Sequence, residues 1–200
     1  MRSDEIRRKI IETTKELLKT QAQVTVKDIA DSCYVNIAAV NYHFGSKEKL
    51  LIIVIEEVLE ELKTFITKEI IENASNMPMN IMLERLMNYI YTFSIENLGV
   101  LSYLFLTREF QGESSNLMVE TFFKDNDFTR LIYQSLQTSM HISNPKETLA
   151  KYMILFSSFC IPIFIQITQA KANQLSIETF KDIDFRQFYI NNIIRLVQEK

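Results

Sequence analysis

Apolar residues recur along this chain every three or four positions, the spacing that lays a stripe along an α-helix, with little of the strict alternation of a half-buried strand. Over residues 3–20 the stripe is Ile6, Ile10, Thr14 and Leu17, flanked by Ile11 and Leu18, while Arg7, Arg8, Lys15 and Lys19 take the outer face. A second helix is expected from Thr25, whose hydroxyl suits an N-cap, with Asp28 at the third helical position to reach back to it. Its apolar stripe is Val26, Ile29, Ala30 and Cys33. A short turn over 32–35 leads to Asn36, the next cap, and to a helix over 37–44 about 12 Å long. Gly45 is expected to end it as a left-handed residue, and Ser46 to cap a long fourth helix reaching about residue 73.

Beyond residue 73 the clear breaks are Pro78, Gly99, Gly112 and the Asn144–Pro145 pair, with a polar break over 173–176. Asn144 with Glu147 reads as another cap and return, with proline at the first helical position. That gives an all-α chain of about nine helices. The apolar runs at 51–55 and 161–165 are β-branched enough to mimic strands, but each lies within a longer helical pattern. The helix from Pro145 to about residue 170 is apolar nearly all round, so it must be covered on every side, and a second chain is the expected cover. No flexible linker separates residue 44 from residue 80. One rigid helix from 46 to about 73 is therefore expected to join a small N-terminal three-helix unit to a larger C-terminal bundle.

Composition agrees with long helices, since only 3 Gly and 3 Pro occur in 200 residues. Cys33 and Cys160 form no CxxC pair or disulfide framework, which points to a reducing cytoplasm, and the charged start MRSDEIRRKI has no signal-peptide pattern. The most apolar run, over 153–167, contains Ser157, Ser158 and Pro162 and falls short of the roughly 20 residues of a membrane span. It reads as a buried helix. The net charge of −3 hides an asymmetry: residues 1–50 hold 9 Lys/Arg against 7 Asp/Glu, and the rest 13 against 18. The only net basic part is thus the part with the short capped helices.

Two helices joined by a tight turn, the second short and exposed, have the form of a helix-turn-helix, and the major groove of DNA, about 12 Å wide, admits one α-helix. Ala38 and Ala39 are small enough to bring the reading helix close to base edges. Asn41, Tyr42, His43 and, after the turn, Lys47 can reach phosphates, and the N-termini at Thr25 and Asn36 present backbone N–H groups to them. TVKDIADSCYVNIAAVNYHFGSKEKLL, residues 25–51, resembles the DNA-binding segment of the tetracycline-repressor (TetR) family. The resemblance rests on Thr25, Ile29-Ala30, Val35, the Tyr42-His43-Phe44 run and Ser46-Lys47-Glu48 before Leu50, and AAVNYHFGSKE is a subtype of that motif. The chain departs from the family at Tyr34, where a turn glycine is usual, at Asn36, where serine is usual, and at Ile37, often a polar base-reading residue. A residue with a Cβ at the turn costs about 1 kcal/mol or more in the left-handed conformation. Ile37 offers only apolar contact, for example to a thymine methyl.

The resemblance implies a DNA-binding domain over 1–48 and a ligand-binding and dimerisation domain over 49–200. It implies a cytoplasmic homodimer on double-stranded DNA with a palindromic operator, no membrane and no cofactor, most simply a repressor released by a small apolar or aromatic effector. The alternative is a ligand-independent regulator or activator controlled by a protein partner. DNA contacts fall to Thr25, Asn36, Ile37, Ala38, Ala39, Asn41, Tyr42, His43 and Lys47. Phe44, Val40 and Cys33 read as core. His43 is not expected to be a metal ligand or catalytic base, because His141 is the only other histidine and no ligand spacing surrounds it. No nucleophile–base pair or phosphate loop supports an enzyme. Of the aromatics over 89–123, Tyr89, Phe93, Tyr103 and Phe122 are the expected lining of a cavity between helices, against the plainer reading of core. Tyr152, Phe156, Phe159, Ile163, Phe188, Ile193 and Leu196, on the last two helices, are the expected dimer interface.

Overall fold

The structure is a computed structural model of the full chain, and it describes residues 3–21, 23–73, 77–106, 113–172 and 182–198. Among these residues the chain is all α-helix: α1 Ser3–Thr20, α2 Val26–Cys33, α3 Ile37–Phe44, α4 Lys47–Asn73, α5 Met79–Glu96, α6 Leu98–Leu106, α7 Glu113–Phe122, α8 Asp127–Met140, α9 Pro145–Ala172 and α10 Ile183–Gln198. The breaks expected at Gly112 and over 173–176, and the aromatic Phe110, lie outside the described residues. Among the described residues ten helices stand where about nine were expected. The uncounted break follows Phe122, where Asn126 caps α8 by accepting from the Thr129 N–H at 2.9 Å while the Thr129 hydroxyl accepts from the Asn126 N–H at 3.1 Å.

Packing divides the chain into one unit of Met1–Glu60 with Glu96–Met118 and another of Glu61–Ile95 with Val119–Lys200, and α4 runs unbroken from the first into the second. In the first unit α1 packs on α2, α3 and α6. Ile10, Ile11 and Leu18 of α1 are buried with Ile29, Cys33 and Val40, and with Leu50, Leu51, Val54 and Ile55 of α4. Burying each such side chain stabilises the fold by roughly 1.5–3 kcal/mol. The β-branched run at 51–55 is helical, because its apolar side chains continue the buried stripe of α4 to Val58 and Leu62. Gly99 lies in the first turn of α6, with the break at Asn97 just before it. A Cβ on Gly99 would stand 2.2 Å from the Leu18 carbonyl oxygen and 2.4 Å from that of Gln21. Its role is close approach to the end of α1.

The second unit is built on Leu83, Met87 and Tyr91 of α5, Leu136 of α8, Tyr152 and Leu155 of α9, and Ile190, Ile194 and Val197 of α10. α9 carries Pro162 in its interior. Proline has no N–H, so the Ser158 carbonyl four residues earlier loses its helical donor. Two hydroxyls replace it: Tyr91 donates to that oxygen at 2.8 Å and Tyr189 at 3.0 Å. Tyr152 donates to the Phe122 carbonyl at 2.7 Å and so ties α9 to the end of α7. Burial pushes the Tyr91 and Tyr152 hydroxyls well above the usual tyrosine pKa, and the Cys160 thiol up to about 11.

Pro145 does open α9 at the first helical position. The side chain of Asn144 caps it by accepting from the Lys146 N–H at 3.0 Å, but among the described residues the return from Glu147 expected with that cap does not form, and Glu147 meets the Asn144 carbonyl through its own N–H. The helix is longer than the apolar run within it, and Pro145–Thr168 is long and apolar enough, by length and composition alone, to cross a membrane. One face of that stretch is fixed by Tyr152, Leu155, Ile163 and Ile167, all buried. Met153, Ile154, Ile161, Phe164 and Ile165 remain exposed on the other.

Candidate nucleic-acid interface

Local chemistry fixes both short helices at their N-termini. The Thr25 hydroxyl accepts from the Asp28 N–H at 3.1 Å, and the Asp28 carboxylate takes the Thr25 N–H at 2.8 Å and the Thr25 hydroxyl at 2.7 Å. This is the reciprocal box expected of the pair, and those Thr25 donors hold the Asp28 carboxyl below its usual pKa. Asn36 caps α3, its side-chain oxygen accepting from the Ala39 N–H at 2.7 Å. Ser46 caps α4, accepting from the Lys49 N–H at 3.3 Å. Glu48 is held below its usual pKa by its own backbone N–H and by the Ser46 hydroxyl. Two of the acidic side chains near α3 are thus engaged at helix starts.

The turn between α2 and α3 passes through Tyr34 at φ 56°, ψ 42°, the left-handed conformation expected at the position of a turn glycine. Its N–H still closes onto the end of α2, donating to the Asp31 carbonyl at 3.1 Å. The side chain is 91% exposed, and the Lys9 ammonium lies 5.7 Å from its ring centroid. Gly45 has a positive φ of 77° as expected, but ψ is −47°, outside the left-handed helical region. That backbone still ends α3, its N–H donating to the Asn41 carbonyl at 2.8 Å.

Val40 and Phe44 face the core of the unit, as does Cys33 on α2. The opposite face of α3 is open: Ala38 and Asn41 are exposed, Ile37 is 46% exposed, and Tyr42 is 83% exposed. Ala39 and His43 are half-buried, with the imidazole edge-on to Tyr42 at 5.2 Å between centroids. Thr25 and Asn36 are exposed at the two helix starts. Lys47, at the start of α4, is half-buried, with its ammonium 5.9 Å from the Tyr103 ring centroid. Arg7 from α1 stands 5.3 Å over the Phe44 ring. Cations from α1 and α4 therefore stand against rings of the turn, of α3 and of α6. Arg7 lies on the outer face of α1 that the sequence pattern gives it, whereas Lys9 has no signal in the sequence and only the exposed ring of Tyr34 singles it out.

Elsewhere the expected residues separate. Tyr89 stacks on Phe65 with centroids 3.3 Å apart and has Phe93 at 5.9 Å, so these two candidate lining residues share one aromatic group. Phe122 belongs to another, with Phe156 at 5.5 Å and Phe128 at 6.0 Å. Tyr103 lies in the first unit, buried, with its hydroxyl at the backbone of Val24. Of the residues expected at a dimer interface, Tyr152 and Ile163 are buried within the protomer, Phe156, Phe159 and Ile193 are half-buried, and Phe188 and Leu196 are exposed.

Residues 10–54, which hold this helix-turn-helix, match the family model of the bacterial regulatory proteins of the tetR family. Among curated proteins none matches the chain. Among solved structures, one from Mesorhizobium loti MAFF303099 assigned to the TetR-family transcriptional regulators superposes with a TM-score of 0.68 at 14% identity, over 98% of this chain and 96% of that one. A tetR-family transcriptional regulator from Streptomyces coelicolor gives a TM-score of 0.63 at 13% identity, over 98% and 90%. RolR, solved with its ligand resorcinol, gives 0.58 at 12% identity, over 99% and 90%. The chain thus has the fold of TetR-family regulators, an N-terminal helix-turn-helix followed by a helical C-terminal domain, with the tetR-family sequence match at residues 10–54.

Proposed function

We propose that this chain is a DNA-binding transcriptional regulator of the TetR family, a cytoplasmic homodimer that represses from a palindromic operator and is released by a small apolar or aromatic ligand. The observation that carries the reading is the open face of α3. Small and polar side chains point outward from a helix whose start is capped and whose flanks carry Thr25 and Lys47, all within the stretch that matches the family model. Ala38 and Ala39 let the backbone approach base edges. Ile37 supplies an apolar contact, and Asn36, Asn41, Tyr42 and His43 reach bases or phosphates. Thr25 and Lys47 take phosphates on either side.

Residues 1–48 serve as the reading domain and residues 49–200 bind ligand and partner. A two-fold dimer sets two reading helices about 34–36 Å apart, one turn of DNA. The exposed apolar side chains of α9 and α10, Ile161, Phe164 and Phe188 among them, support a second copy as their cover. The resorcinol bound in RolR and the aromatic group at Phe65, Tyr89 and Phe93 support a small aromatic effector. Because α4 begins next to the reading helix and continues into the second unit, a ligand that displaces it would move the reading heads.

The test is retardation of duplex DNA, including fragments from the source genome, across a salt series. Lys47→Ala is expected to weaken binding to all sequences alike and to lower the slope of log affinity against log salt by about 1. No binding to any duplex at low ionic strength refutes the reading. An effector that dissociates the complex while spin labels report an unchanged head-to-head distance refutes the switching scheme.

A further inference from the structure

Tyr103 is placed where neither a ligand cavity nor plain packing accounts for all of its contacts. It lies on α6, in the same packed unit as α1, α2 and α3, and is buried. Its hydroxyl accepts from the Val24 N–H at 3.1 Å and sits 3.4 Å from the Val24 carbonyl oxygen, a link across 79 residues of sequence. Val24 is itself buried and immediately precedes Thr25, the cap of α2, in a connection outside either helix. On the same ring stands the ammonium of Lys47, the first residue after the Ser46 cap of α4. One turn earlier on α6, Gly99 closes onto the Leu18 and Gln21 carbonyls, so the helix that bears Tyr103 is seated on the end of α1. One side chain thus touches both the entrance and the exit of the helix-turn-helix.

We propose that Tyr103 is a positioning residue for DNA binding: its hydroxyl holds Val24 and so sets the Thr25 cap, and its ring seats Lys47, which fixes the two phosphate contacts that flank the reading helix. The inference rests on the DNA-binding reading above and deepens it. It makes α6 part of the reading head, although residues 45–97 separate it in sequence from the reading helix. A duplex presents the same phosphates whatever its sequence, so this device acts on affinity and salt dependence and leaves base preference unchanged.

The experiment uses the full chain and a mixed-sequence duplex of about 30 base pairs at low ionic strength, a length that spans two half-sites one turn apart. Tyr103→Phe keeps the ring and removes the hydroxyl; one lost hydrogen bond corresponds to roughly five-fold in affinity. The expected result is that loss in the otherwise unchanged protein and little further loss when Thr25→Ala is already present, since both act through one contact. Tyr103→Leu is expected in addition to lower the salt slope by about 1, and to lower it no further in the Lys47→Ala background. Circular dichroism and the melting temperature confirm that each variant is folded. If the parent protein binds and Tyr103→Phe matches it in affinity and slope, the proposal is overturned while the DNA-binding reading stands. Equal factors lost with and without Thr25→Ala also overturn it, because the hydroxyl would then act independently of the cap. A parent protein that binds no duplex overturns both.

Discussion

Replacing Tyr91 by Phe removes a single oxygen and tests how α9 accommodates its proline. The ring of Tyr91 is buried, and only the hydroxyl, 2.8 Å from the Ser158 carbonyl, is lost, so no cavity term arises. The cost is then the bond to Ser158, about 1 kcal/mol, together with the contact the Tyr91 hydroxyl makes with that of Tyr189. Tyr189→Phe leaves the shorter bond in place, and that side chain is half-buried, so water offsets part of the loss and about 0.5 kcal/mol is expected. The double variant differs in kind. It leaves the Ser158 carbonyl with neither tyrosine donor, and an unsatisfied buried acceptor costs a further 1–3 kcal/mol or so. The double variant should therefore lose at least about 1 kcal/mol more than the two single variants together. Pro162→Ala supplies the missing N–H, and in that background the excess should disappear. Urea unfolding at one fixed protein concentration, with unchanged m values, reads all four quantities. Strict additivity, or an excess untouched by Pro162→Ala, would refute the account of the proline.

Gly99→Ala places a Cβ against two backbone oxygens that no side-chain rotation can move away, so a loss of roughly 1–3 kcal/mol in urea unfolding is expected. At position 34 the normal order of helix formers should invert, with Tyr34→Gly more stable than Tyr34→Ala by about 0.5–1 kcal/mol, because left-handed strain outweighs the extra chain entropy of glycine. Equal or reversed midpoints would refute the strain argument. Tyr91 and Tyr152 have folded pKa values raised above the ordinary tyrosine value near 10, mainly by burial. The neutral hydroxyl is favoured in the fold, so their contribution is complete below about pH 10 and is lost as pH rises beyond it. Thermal melts from pH 8 to 11 should show that fall, and Tyr152→Phe should flatten it.

Much of the N-terminal helix-turn-helix was legible because its signals are local. Thr25 with Asp28, Asn36 and Ser46 announce their helices within three residues of sequence, and each cap stands in the structure as expected. The left-handed residue at Tyr34 was legible only through the resemblance, which puts a turn glycine at that position, and the backbone keeps that conformation with a tyrosine in its place. The Asn126 cap was equally local and went unread, because the stretch Lys124-Asp125-Asn126-Asp127 has no proline or glycine to mark it.

The contacts that tie distant elements together follow another rule. Nothing near Tyr103 in sequence distinguishes it from Tyr89 or Phe93, since an aromatic on an apolar helix face suits a cavity wall, a core and an anchor alike. What separates them is the partner of the hydroxyl, Val24, which belongs to another helix connection 79 residues away. Gly99 reads as a helix break for the same reason: its true neighbour is the Leu18 carbonyl, and the sequence around it shows only a missing side chain. Helix α9 combines both cases. Its all-round apolar pattern raised the expectation of cover on every side, yet the pattern cannot tell the half that Tyr152, Leu155, Ile163 and Ile167 bury from the half that Ile161 and Phe164 expose. Periodicity finds a helix and its need for burial. Which face meets its own chain is decided by long-range pairing, here by two tyrosine hydroxyls that reach the one carbonyl Pro162 leaves without a helical donor.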